Sequence, residues 1–183
     1  RVAARMTMQT PPAEEGARRA AAGRLIGIAR RTGRRAPMDE IATGSISVEG
    51  GLAGDHKGAR FPRRRITVLS REDWERALAE LSDLGGAVEL PLTVRRANLL
   101  VEGVRLPRAA GGIVRIGPLL LEVTYPTQPC SRMEEAHRGL LKALHPDWRG
   151  GITCAVLEGG VVRIGDAVEV PVSPPEETIR LPG

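Results

Sequence analysis

Aromatic side chains are almost missing from this chain: two Trp, one Tyr and one Phe stand among 183 residues. Any core must therefore be assembled from Val, Leu, Ile and Ala. Cysteine is equally scarce. Two cysteines make no disulfide framework, so a reducing cytoplasm is the expected compartment. Neither has a close Cys or His partner at zinc-binding spacing, which disfavours a zinc site. No apolar run approaches the roughly 20 residues of a membrane span. The amino terminus also lacks the apolar centre of a secretory signal, so no membrane partner is expected. Lysine is rare as well, with 25 arginines against two lysines.

What is present is enough for one ordinary domain. Apolar residues make up 42% of the chain, so a proper core can form. The 22 glycines and 14 prolines punctuate it heavily, favouring many short elements over a few long helices. The formal charge of +5 is unevenly placed. Residues 1–35 hold nine arginines against Glu14 and Glu15, whereas the remaining 148 residues hold 18 basic and 20 acidic groups. The basic surplus thus reads as a property of an amino-terminal arm. Such an arm can bind nucleic acid or an anionic surface, or can simply be solvated. With arginine dominant everywhere, nucleic acid is the weaker reading.

Residues 1–23 carry no apolar stripe and read as a flexible basic arm, followed by a domain over 24–171 and a surface tail over 172–183. Leu25–Ala29 is predicted as a strand, and Ile41–Val48 as a weaker one. Glu49–Gly58 is a glycine-rich polar loop. Arg65–Leu69 is a strand, and Ser70-Arg71-Glu72-Asp73 is a capping-box variant opening a helix that carries Trp74, Leu78 and Leu81 on one face. The second half reads mainly as β, from Leu92–Leu100 onward. Ile113–Ile116 and Leu119–Tyr125 form a hairpin across Gly117-Pro118. A helix is expected around Glu134–Leu144, then short strands at Ile152–Leu157, Val161–Ile164 and Ala167–Val170. Short strands joined by glycine turns predict a barrel or curled sheet with a few helices.

Chemistry concentrates at Thr127-Gln128-Pro129-Cys130-Ser131-Arg132-Met133. A cysteine just before a helix, with Arg132 beside it, is placed to favour the thiolate, the form that attacks, binds metal or carries sulfur. Cys154 lies in an apolar run and reads as an inert core thiol. Asp55-His56 in the glycine-rich loop suggests a second polar group for the site. His56 is a lining residue or proton donor; otherwise the two residues stabilise the loop. His137 and His145 read as structural.

Several patches fall in a fixed order: Gly-Leu-Ala-Gly-Asp-His (51–56), Arg-Arg-Ala-Asn-Leu-Leu (95–100), Val-Arg-Ile-Gly-Pro-Leu-Leu-Leu-Glu-Val-Thr (114–124), Gln-Pro-Cys-Ser-Arg-Met (128–133), Arg-Gly-Gly (149–151) and Gly-Gly-Val-Val-Arg-Ile-Gly-Asp-Ala-Val (159–168). This series resembles the MOSC domain, named for the carboxy-terminal part of molybdenum cofactor sulfurase and found also as small stand-alone bacterial proteins. The resemblance spans roughly residues 24–171. It implies a mainly β fold, a barrel of the type inserted in pyruvate kinase. It also implies that Cys130 carries sulfur or ligates molybdenum in a bound molybdopterin. Some relatives reduce N-hydroxylated compounds, which would bring in an electron donor. Pyridoxal phosphate belongs to the sulfurase's separate desulfurase domain and is not expected here. An anionic molybdopterin calls for cations and backbone N–H groups. Lys57, Arg65, Arg132 and Arg149 are the candidate cations, with Asp55, Asn98, Thr127 and Gly150 as neighbouring contacts. Asn98 can equally satisfy a buried turn. The partners implied are molybdopterin or a sulfur donor or acceptor protein. The alternative is a non-catalytic module that holds or delivers the cofactor.

Overall fold

A computed structural model describes residues 23–83 and 85–176. The expectations for residues 1–22, and for the end of the tail from residue 177, lie outside the described residues. The first strand, β1 (Gly23–Arg30), begins where the basic arm was expected to continue. Five of the nine early arginines, Arg24, Arg30, Arg31, Arg34 and Arg35, therefore belong to the folded body. This corrects the reading of the basic surplus as an arm property.

The remaining strands are β2 (Asp39–Ile41), β3 (Thr43–Ser47), β4 (Gly51–Leu52), β5 (Ile66–Ser70), β6 (Leu99–Glu102), β7 (Ile113–Ile116), β8 (Leu119–Pro126), β9 (Ile152–Glu158), β10 (Gly160–Arg163) and β11 (Ala167–Val172). The helices are α1 (Arg71–Ser82), α2 (Ser131–Ala136) and α3 (Leu140–Leu144). The main sheet runs β11-β7-β8-β9-β5-β6-β1, and β11 pairs back onto β1, which closes a seven-stranded barrel. Closure removes the open edges that an isolated sheet would expose. All barrel pairings are antiparallel except β5 with β6. That parallel pair needs a crossover, and α1 supplies it.

Alternation along the strands sorts side chains into two clusters. Ile66 and Val68 of β5, with Leu99 and Val101 of β6, point into the barrel. Their neighbours Leu69 and Leu100 point outward to meet Trp74, Ala77 and Leu81 of α1 and Leu140 and Leu144 of α3. Aliphatic residues fill the barrel with only Trp148 as an aromatic, as the scarcity of aromatics requires. Cys154 is fully buried among them.

Four local expectations need correction. The segment 41–48 is two strands: β2 stays on β1, while β3 leaves to pair with β10 and β4 in a separate small sheet. Residues 92–95 form a 3-10 turn, and Arg96 then adopts a left-handed backbone (φ 63°), so the strand begins only at Leu99. The helix expected over 134–144 is broken in two, because Gly139 sits at φ 86° and its N–H donates to the Glu134 carboxylate instead. Finally, β11 includes Val172, which the tail was expected to claim. The Ser70 cap forms as predicted, its Oγ accepting from Asp73 N at 3.2 Å. It is Glu72, however, that accepts the Ser70 hydroxyl, while Asp73 turns to a buried ion pair with Arg108 at 3.0 Å.

Candidate functional site

The connections after β1 and β8, and those before β5, β6 and β9, converge on a cavity of about 510 Å³. Loops held on a rigid barrel are the usual carriers of function. Arg31, Arg34 and Arg35 come from the segment after β1, and Asp55, Lys57, Phe61 and Arg64 from the segment before β5. Arg95, Arg96 and Asn98 precede β6; Thr127 to Met133 and Glu135 follow β8; Gly150 precedes β9.

Charge is the dominant property. Eight cations line the cavity against two carboxylates, Asp55 and Glu135. None of the eight is in an ion pair among the described residues; the paired cations, such as Arg24, Arg71, Arg105 and Arg149, all lie elsewhere. Asp55 is committed to the backbone, its oxygens accepting from Arg31 N, Lys57 N and Gly58 N at 3.1–3.3 Å. It thereby fixes the loop that presents Lys57.

Burial pushes Arg31, Lys57 and Arg96 below their ordinary values, and repulsion among neighbouring guanidinium groups adds to this. Asp55 and an ionised Cys130 act against that shift on all three. Cys130 itself is exposed and sits at the N-cap of α2 without a side-chain capping bond, so its sulfur is free to act. α2 has only six residues, so the converging cations outweigh the helix end as the source of positive potential.

Arg95 holds this loop in place. Only 6% exposed, it donates from Nε to Gly150 O at 2.8 Å and from Nη2 to Thr127 O at 3.0 Å. One planar fork thus ties the stem of the cysteine loop to the Arg-Gly-Gly loop, a geometry lysine cannot reproduce. Burial lowers Arg95 to about 10, although a thiolate at Cys130 opposes the shift. The approach also needs glycine at position 150, where a Cβ would stand 2.6 Å from Thr127 O and 3.2 Å from Arg95 Nη2. Two residues just upstream, Asp147 and Trp148, hold left-handed backbones (φ 52° and 58°). Strain of this kind persists only where its surroundings over-determine it.

The cavity brings together seven of the residues expected from the sequence: Asp55, Lys57, Asn98, Thr127, Cys130, Arg132 and Gly150. It leaves out three. His56 is absent from the lining; its backbone N–H is held by Arg31 O at 2.8 Å. Arg65 is spent on Val48 O and Gly58 O, bracing the glycine-rich loop. Arg149 turns away to pair with Glu80 of α1. Asn98 proves to be a structural bridge: its Oδ1 accepts from Thr67 N and Oγ1, and its Nδ2 donates to Ala29 O. Sequence reading missed Arg31, Arg34, Arg35, Phe61, Arg64, Arg95, Arg96 and Glu135. The Arg-Arg pairs at 34–35 and 95–96 were visible, but nothing local said that they face one cavity. Among the described residues no group of His, Cys, Asp and Glu is arranged to hold a metal ion. No helix among them is long and apolar enough to cross a membrane.

Comparison with solved structures finds the same fold. The YuaD protein of Bacillus subtilis superposes with a TM-score of 0.67 at 16% identity, covering 81% of this chain and 95% of that one. YiiM of Escherichia coli gives 0.56 at 20% identity, with 85% and 72% covered, and YiiM of Geobacillus stearothermophilus 0.55 at 19%, with 81% and 73% covered. Comparison with curated protein sequences finds no match. The family model described as the MOSC domain matches residues 53–169, a span holding Cys130, most of its cationic surroundings and the barrel strands from β5 to β9, and on that match the chain belongs to the MOSC domain family.

Proposed function

We propose that this protein binds a molybdopterin-type cofactor in the cationic cavity and presents the Cys130 thiolate to it. The observation that carries the reading is the convergence of eight cations without ion-pair partners on one cavity beside an exposed cysteine. Uncompensated guanidinium groups call for an anionic ligand, and a volume of about 510 Å³ suits one of cofactor size.

The residues fit such a group. The absence of a four-ligand metal cluster among the described residues suits a metal carried by its own organic ligand, with the protein adding one soft thiolate. When bound, the cofactor supplies two-electron redox or sulfur chemistry at molybdenum. The chain's own part is to bind and to orient. Arg31, Arg96 and Arg132 offer charge-assisted donors to anionic oxygens. Arg95 holds the backbone from which Cys130 projects, and Asp55 holds Lys57 in place. Glu135 lines the same cavity with an exposed carboxylate.

The test is co-purification. Protein made in a molybdopterin-producing host is expected to carry pterin, detected by its fluorescence after oxidation. Reversing two cavity charges, Lys57→Glu with Arg132→Glu, is expected to abolish it while leaving the far-ultraviolet circular dichroism unchanged. Pterin retained by the reversed variant would refute the cavity as its site.

A further inference from the structure

Six large apolar side chains are exposed among the described residues, and of these Phe61 alone lines the cavity. Phenylalanine is usually buried, and this is the only one in the chain, yet it is 49% exposed and belongs to neither hydrophobic cluster. The backbone beneath it is pinned. Residues 58–60 and 62–64 form 3-10 turns on either side, and Arg64 N donates to Phe61 O at 2.8 Å. Pro62 restricts Phe61 to the extended conformation it holds (φ -129°, ψ 98°). Thr124 Oγ1 of β8 donates to Arg63 O at 2.7 Å, which ties the segment to the barrel. Cations flank the ring: Lys57 and Arg64 come from the same segment and line the cavity with it. The Arg64 guanidinium stands 5.7 Å from the centroid of the Tyr125 ring, so one cation on this wall already rests on an aromatic face. Elsewhere on the lining, Arg31 and Arg132 both weigh electrostatically on Arg96, whose shielded Nε has no acceptor. A shielded, unmatched donor at a cavity wall is suited to an oxygen of a bound ligand. The cavity thus offers a flat apolar face and a separate place for an anionic group.

We propose that Phe61 is the ring-stacking residue of this cavity, receiving the face of a pterin-type bicyclic ring while the anionic end of the same ligand lies on Arg31, Arg96 and Arg132. The inference rests on the cofactor reading above, and it adds which end of the ligand lies where and what selects its ring. Guanidinium groups alone would take any anion of suitable size. A flat apolar face among them favours an anion that carries a planar ring, because stacking covers both surfaces and leaves the polar ring edge to the cations and to water. The platform is set before the ligand arrives, so little ordering is needed on binding. Leucine at position 61 would keep apolar bulk and lose the flat face, whereas tryptophan would keep both.

The experiment titrates the full chain, purified from a host that makes no molybdopterin, with 6-carboxypterin and follows the pterin fluorescence. Inorganic phosphate serves as a ring-free competitor for the same cations. Saturable binding is expected in the parent, weakened by about tenfold in Phe61→Leu and kept in Phe61→Trp. Tryptophan emission of Phe61→Trp should fall on pterin binding by more than that of the parent, which a purely structural role would not produce. The inhibition constant of phosphate should be the same in all three proteins. No saturable pterin binding in the parent, equal binding in Phe61→Leu, or a phosphate constant that weakens alongside that of the pterin in Phe61→Leu would each overturn the inference. Pterin co-purification from a molybdopterin-producing host is read separately. Discrimination at Phe61 with no pterin co-purified overturns the cofactor reading alone. Equal binding of 6-carboxypterin by parent and Phe61→Leu, with pterin still co-purified, overturns this inference alone.

Discussion

The two cysteines of this chain have the same chemistry and opposite surroundings. Cys130 is exposed on a loop among cations, whereas Cys154 is fully buried between β5 and β8 and burial pushes its thiol far up. In the folded protein, alkylation followed by peptide mapping should therefore label Cys130 and spare Cys154. Cys154→Ser should lower stability by on the order of 1 kcal/mol or more, because it buries a hydroxyl where a sulfur packed. Cys130→Ser should leave the thermal midpoint nearly unchanged. Arg95 gives a second residue-scale prediction. Arg95→Ala leaves Gly150 O and Thr127 O without their donor and should cost ~2–4 kcal/mol in denaturant unfolding, with Arg95→Lys recovering only part of it. Both cysteine environments were legible in the sequence, one from a polar Pro-Cys loop and the other from an apolar run. Arg95 was not, since a buried arginine linking residues 55 and 32 positions away leaves no local signature. For the same reason Arg149 looked like a site residue. Its place beside two glycines was visible, but its pairing with Glu80 on α1 was not.

At the scale of elements, the start of α1 carries a pH-dependent contact that links it to the 103–112 segment. Burial pushes the Glu72 carboxyl up, but hydrogen bonds from Gly103 N, its own N–H and the Ser70 hydroxyl together bring it below its ordinary value of 4.5. A carboxyl depressed in the folded state stabilises the fold above its unfolded value, and that contribution is lost as pH falls below 4.5 toward the folded value. Asp73 next to it has the opposite sign. Burial holds it above its ordinary value of 3.8 despite Arg108, so its share is present at low pH and fades as pH rises through the folded value. Thermal midpoints measured from pH 6 to pH 3 should accordingly fall less steeply in Glu72→Gln than in the parent; an unchanged slope would show that the Gly103 contact contributes nothing. Element types were readable wherever local rules and tertiary contacts agreed. β5, α1 and the β7–β8 hairpin are examples, with a serine cap and a glycine-proline turn marking their limits. They were misread where a distant contact decided. Asn98 bridges β1 and β5 and so delays β6, and Gly139 splits what periodicity presented as one helix.

On the scale of the whole molecule, the barrel depends on its last strand. β11 pairs with β7 on one side and with β1 on the other, and Val168 is buried inside. A chain ending at Gly165 would leave both of those strands with open edges and the barrel core exposed. It should fail to give a cooperative thermal transition, and a two-state melt from that truncation would show that closure is dispensable. Closure also matters for the site, because the cavity is lined by segments from residue 31 to residue 150 that only the closed barrel brings together. Barrel class was legible as a rhythm of short strands and glycine turns. Its cationic mouth was not, because composition assigned the arginine surplus to the chain's beginning rather than to one side of the fold. The central claim, that the thiolate of Cys130 serves an anionic molybdenum cofactor held by this cationic mouth, is most directly tested by the ratio of molybdenum to protein. The preparation is protein from a molybdopterin-producing host, parent and Cys130→Ser side by side. The account predicts near-stoichiometric molybdenum in the parent and its loss in an equally folded Cys130→Ser; molybdenum absent from the parent, or retained undiminished by the serine variant, would contradict it.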